Sequence, residues 1–144
     1  MSCNCSPGPT RADINRWARN PKSVLECETG FDQFQEFLLS RQFDQELSTV
    51  EFYKKAADTR KILVQNNDLP RNTVIQNIEY LLTLADDVNF DGAQMRVLYR
   101  MRKSRSNREI IKILDEARQA ASDLLTDVHE AFIDSLETKM TRSC

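Results

Sequence analysis

The chain reads as all-α, one domain built as a bundle of about eight or nine helices, and three observations carry that expectation. Its 144 residues hold only three glycines and four prolines, and three of those prolines fall before residue 22. Turn formers are therefore scarce in the body of the chain, where Leu, Ile, Ala, Glu, Gln, Lys and Arg dominate; these residues lose little freedom in a helix. Apolar residues also recur three and four positions apart, as stripes rather than as the alternation of a strand. At 40% hydrophobic residues, the chain can fill one core and is too apolar to stay disordered.

The elements follow in order. Residues 1–10, "MSCNCSPGPT", show no periodicity and read as a tail, with a helical domain over 11–138 and a short C-terminal tail over 139–144. In "RADINRWARN", Asp13 is the expected cap and sets Ile14 and Trp17 on one face, until Pro21 interrupts. "KSVLECETG" takes Ser23 as its cap, Val24 and Leu25 as its apolar pair and Gly30 as its stop. Phe31, Phe34, Phe37 and Leu38 then form a stripe read as helix burial, not as a ligand box.

"SRQFDQELS" reads as a connector, after which Ser48 or Thr49 caps a helix marked by Val50, Tyr53, Ala57 and Arg60. Beyond Pro70, Thr73 caps the cleanest amphipathic pattern: Val74, Ile75, Ile78, Leu81, Leu82 and Ala85. The loop "DDVNFDGAQ" follows, with Asp91 as cap of the next segment. A long final stripe runs through Ile110, Ile113, Leu114, Ala117, Ala121, Leu124, Val128, Phe132 and Leu136, with a bend expected near Val128.

Composition excludes several functions. A net charge of -2 with 29% charged residues supplies no field for nucleic acid. No apolar run approaches a membrane span and no secretion signal opens the chain, so a cytoplasmic monomer is expected. Cysteines stand at 3, 5, 27 and 144. Without export a disulfide framework is not expected, and Cys3 and Cys5 with the lone His129 lack a second pair at ligand spacing, so no metal or other cofactor is implied. Cys3 and Cys5 are candidate acylation sites, since two chains anchor stably where one is marginal. Ser2 excludes N-myristoylation. Arg96, Arg100, Arg102, Lys103, Arg105 and Arg108, with no acid among them, could meet anionic lipid at the inner leaflet, giving peripheral attachment to the plasma membrane. Chemistry of the chain's own is the least expected class. There is no Gly-rich phosphate loop, Asp115 and Glu116 diverge on a helix, and His129 reads as a surface or boundary residue without a nucleophile.

The order of particular residues carries more than the stripes do. Trp17, then Ser23, Val24, Leu25, Gly30, Phe34, Phe37 and Leu38, resembles the opening of the regulator of G-protein signalling (RGS) domain. "VEFY" at 50–53 is similar to the start of that family's fourth helix, and "EYLLTLADDVNFD" at 79–91 to its fifth helix and following "EVNID" loop. "LDEAR" at 114–118 and "LL" at 124–125 complete the series, which covers about residues 14–138. The resemblance implies an RGS-type helical bundle that binds the switch regions of a GTP-loaded Gα subunit and accelerates GTP hydrolysis. Asn89 would sit beside the partner glutamine that orients the attacking water, with Ser48, Thr49, Leu124 and Asp127 around it. Ser48-Thr49 stands where the family carries Glu-Asn, Tyr53 where it carries Trp, and Ala131 where it carries an Arg. An RGS-fold adaptor without such activity, binding another protein or the membrane surface, is the alternative. For Asn89 the plain structural role would be a left-handed turn before the Asp91 cap.

Overall fold

A computed structural model describes residues 8–142, so Cys3, Cys5 and Cys144 lie outside the described residues. Within them the chain forms eight α-helices, one 3₁₀ turn and no strand. These are α1 (Arg11–Trp17), α2 (Pro21–Leu25), α3 (Glu28–Ser40), α4 (Asp44–Gln65), α5 (Arg71–Ala85), α6 (Gly92–Tyr99), the 3₁₀ turn (Arg100–Arg102), α7 (Asn107–Leu124) and α8 (Thr126–Arg142). No helix among the described residues is long and apolar enough to cross a membrane.

Helix starts follow capping chemistry, though often one turn before the expected residue. Thr10 caps α1 and Asp13 closes a capping box back onto the Thr10 amide. Asn20 caps α2, and Pro21 begins that helix instead of interrupting one, because its missing N–H falls on a donor that has no intrahelical partner anyway. Ser106 caps α7. Thr73 lies inside α5, which starts behind Pro70.

The largest departure is α4. Residues 44–48, expected as connector, are its first turns, and Ser48 and Thr49 are interior positions that donate their hydroxyls to the Asp44 and Gln45 carbonyls. Early entry follows from how α3 ends. The Phe43 amide bonds to Leu38 O and the Gln42 amide to Leu39 O, while Gln42 takes φ 59°, a Schellman turn. The Phe43 ring then meets Phe37 at 6.3 Å, the apolar contact that accompanies this motif. The chain leaves α3 already aimed into α4.

Gly30 is no stop; it lies within α3 and is buried. A Cβ there would sit 3.0 Å from the Trp17 indole and 3.0 Å from the Val24 carbonyl, so hydrogen is the only substituent that lets α3 close on α1 and α2. The final stripe is two helices, broken at Leu125 rather than bent at Val128. Leu125 is fully buried while Leu124 stays 41% exposed. The last helix also runs to Arg142, beyond residue 138.

Two layers share the core. In the first, α4, α5, α6 and α7 form an up-and-down bundle. Lys55 of α4 meets Asn77 of α5, and Tyr99 and Arg102 reach back along α5 to Asp86 and Glu79. Arg60 and Tyr53 of α4 meet Asp115 and Arg118 of α7, which makes that pair antiparallel. In the second, α1, α2, α3 and α8 surround Trp17, Phe34, Phe37 and Phe132, whose rings touch at centroid distances of 5.0–6.5 Å. His129 belongs to this layer. It is 5% exposed, not a surface residue, and its Nε2 lies 2.7 Å from the Trp17 carbonyl. A carbonyl only accepts, so Nε2 carries the proton.

The layers are tied by one polar cluster. Tyr53 donates its hydroxyl to Glu26 of α2, and Arg118 donates to Glu26, to the Tyr53 oxygen and to Asp115 while stacking 5.0 Å over the Tyr53 ring. Burial raises the Tyr53 phenol above its ordinary pKa, against the pull of Arg118. A tryptophan here could not offer that oxygen.

Candidate functional site

The antiparallel order of α4 to α7 decides which connections share an end. The α3–α4 turn, the α5–α6 loop at residues 86–91 and the α7–α8 corner at Leu125 gather at one end of the bundle. Connections 66–70 and 103–106 lie at the other.

The α5–α6 loop shows why its residues stand in that order. Val88 is 6% exposed and plugs the core beneath the loop. Asn89 is exposed. Phe90 turns back and sets its ring edge-on to Phe52 of α4 at 5.1 Å. Asp91 accepts from the Gln94 amide at 2.7 Å and caps α6. Asn89 has no positive φ, which among non-glycine described residues belongs to Gln42 alone. The Phe90 amide instead bonds to Val88 O at 2.9 Å, an inverse γ-turn centred on Asn89. A left-handed turn therefore does not explain the asparagine. Its amide stands at the apex between two apolar anchors and makes no hydrogen bond within the described residues.

The other expected residues fall unevenly around that apex. Thr49 is 3% exposed with its hydroxyl engaged, so it packs into the end of the bundle from within. Ser48 is half-buried and bonded to its own helix. Leu124 and Asp127 are exposed on either side of the α7–α8 break. Ala131 is half-buried, one turn further along α8.

One residue at this end escaped the sequence reading. Leu39, in the last turn of α3, is 61% exposed. Its signal was available, because position 39 lies about 100° around the helix from the buried Leu38. Charge is also divided between the ends. Asp44, Asp86, Asp87, Asp91, Asp123 and Asp127 are exposed around the candidate corner. Arg100, Lys103, Arg105 and Arg108 are exposed toward the other end, with no ion pair among the described residues, whereas Arg102 is held by Glu79 at 2.8 Å. That pair lowers the Glu79 carboxyl's pKa through the guanidinium hydrogen bonds.

A half-open cleft of about 650 Å³ lies between the α1–α2 connection and the α7–α8 corner, with Arg19, Lys22, Gln119, Asp123 and Glu130 in its wall. His129 at its base already donates to Trp17; of the two hydroxyl residues in the wall, Thr126 donates to the Asp123 carbonyl, and Ser122 makes no hydrogen bond to His129. This end of the molecule carries Leu39, Asn89, Leu124 and Asp127 on its surface. Neither the known protein families nor the curated proteins contain a match to this chain.

Proposed function

We propose that this chain regulates heterotrimeric G-protein signalling by gripping the switch segments of a GTP-loaded Gα subunit, with an RGS-type arrangement of its helices. It accelerates hydrolysis with no catalytic residue of its own. The observation that carries the reading is the exposed, unbonded amide of Asn89, fixed between the buried Val88 and the Phe52–Phe90 contact at the end where Leu124 and Asp127 are also exposed. A preset amide suits this work. It donates and accepts at once, so it can hold a partner's glutamine without adding charge near the phosphates. Gα subunits carry their own arginine finger, so an activator need only favour the hydrolytic arrangement of mobile loops. Ser48 and Thr49 support the corner from inside and Leu39 extends the contact, with Asn89, Leu124 and Asp127 as its polar and apolar centre.

The test is single-turnover GTP hydrolysis by a panel of Gα subunits, with the wild-type chain and with Asn89→Ala. Wild type raises the rate for at least one subunit, and Asn89→Ala loses about tenfold or more of that acceleration, the loss expected for one positioned polar group. Because Asn89 is exposed and unbonded, the variant keeps its helicity and unfolding midpoint. No acceleration of any subunit by the folded protein rejects the reading.

The exposed bases Arg100, Lys103, Arg105 and Arg108 favour a second reading. The chain would then be an adaptor seated on an anionic membrane surface, at roughly 1 kcal/mol per basic residue near the lipid. Sedimentation with phosphatidylserine vesicles, lost in high salt, distinguishes it.

A further inference from the structure

Cys27 stands in an unusual place for a thiol. It occupies the N-cap of α3, a 13-residue helix, where oxygen-bearing residues normally accept the free amides, and it makes no side-chain cap bond there. Arg16 reaches across from α1 with Nη2 3.8 Å from the sulfur. Trp17 is fully buried, and its indole N–H has no hydrogen-bond partner, an expensive condition for a donor removed from water. The Gly30 amide, in the first turn of α3, and that N–H both favour the anionic form of the Cys27 sulfur. A neutral thiol accepts only weakly, and neither donor makes an ordinary hydrogen bond to it. Gly30 makes the convergence possible, since any Cβ there would collide with the indole.

An amide, an indole and a guanidinium thus converge on one half-buried sulfur. Three donors are an excess for a thiol and a match for an anion. We infer that Cys27 is a redox-modification site, where the thiolate takes up one oxygen from a peroxide and the resulting sulfenate oxygen is held by the Trp17 indole, the Gly30 amide and Arg16. In that step the thiolate attacks one peroxide oxygen, an S–O bond forms and the O–O bond breaks. Sulfur is oxidised by two electrons, and the departing hydroxide takes a proton to become water. The thiol's pKa is lowered accordingly, first by the Gly30 amide, against the opposing cost of burial, and then by Trp17 and Arg16. The new oxygen would give the unpaired indole N–H its missing acceptor.

The chain contains its own comparators in Cys3, Cys5 and Cys144. The full-length reduced protein is treated with dilute hydrogen peroxide at pH 7 in the presence of dimedone, which traps sulfenic acid, and each cysteine is quantified by peptide mass spectrometry. Cys27 is expected to label about threefold or more faster than the others, and this advantage disappears in urea. Arg16→Gln, an exposed change that leaves the core intact, slows Cys27 labelling about two- to fivefold, the scale of one partly exposed charge. Trp17→Phe removes the indole donor and slows it as well; if that variant fails to fold by circular dichroism, Arg16→Gln decides. Labelling of Cys27 no faster than Cys3, or a rate indifferent to Arg16→Gln, overturns the inference.

Discussion

Replacing Gly30 by Ala sets two effects of known size against each other. In the interior of an exposed helix the change would stabilise by about 1 kcal/mol, because glycine is the poorer helix former. Here the added methyl meets Trp17 Cε2 and Nε1 and the Val24 carbonyl, each at 3.0 Å. None of these is the free end of a flexible chain: the indole is 0% exposed and the carbonyl is backbone of α2. Overpacking of a rigid core costs typically 1–3 kcal/mol, so the clash exceeds the propensity gain and the variant loses about 1 kcal/mol. With a urea m-value of about 2 kcal/mol/M, the unfolding midpoint falls by roughly 0.5 M, and Tm falls by about 2–6 °C. Equilibrium urea unfolding followed by circular dichroism measures this directly. Trp17→Leu supplies the cross-check, since its branched chain ends short of both indole atoms facing Gly30. In that background Gly30→Ala costs measurably less, and the double-mutant cycle shows coupling. A Gly30→Ala protein as stable as wild type, or strictly additive with Trp17→Leu, would refute the argument that close approach requires this glycine.

The other predictions follow from single contacts. Phe90→Ala removes the edge-on contact with Phe52 and costs about 1–2 kcal/mol. It also lowers any acceleration of Gα without removing a polar group, because Asn89 loses one of its two anchors; unchanged activity would show that the corner needs no Phe90. Tyr53→Phe keeps the ring under Arg118 but deletes the oxygen shared with Glu26 and Arg118, costing about 1–2 kcal/mol in thermal or urea unfolding. Gln42→Gly relieves the left-handed φ of 59° at the end of α3 and raises stability by about 1 kcal/mol; a loss of stability would mean that the Gln42 side chain contributes to the turn.

Much of the fold was legible because local rules act within a few residues. The stripe of Val74, Ile78, Leu81, Leu82 and Ala85 is buried as its spacing requires, and Asp91 caps α6 as its position suggests. Ile75, on the same pattern, is 37% exposed, because it lies at the edge of the stripe rather than its centre. The sequence missed elements whose evidence lies elsewhere in the chain. "DQELS" is polar and unpatterned, and its helicity follows from the Schellman turn and the Phe37–Phe43 contact before it. His129 looked like a boundary residue until the carbonyl of Trp17, 112 positions away, supplied its partner. Glu26 and Arg118 meet across 92 positions, beyond the reach of any periodicity.

By itself, then, the sequence determined that the chain is helical, where most apolar stripes run and that residues 86–91 form a loop ending in the Asp91 cap. These follow from backbone propensity, i to i+4 spacing and short polar caps, which act between neighbours. Only the tertiary structure decided that this corner shares an end with the α3–α4 turn and the α7–α8 break, that Thr49 faces inward, and that Arg16 of α1 reaches the Cys27 sulfur. Those arrangements depend on how whole helices dock, and docking is settled by shape and by the pairing of buried groups far apart in the chain.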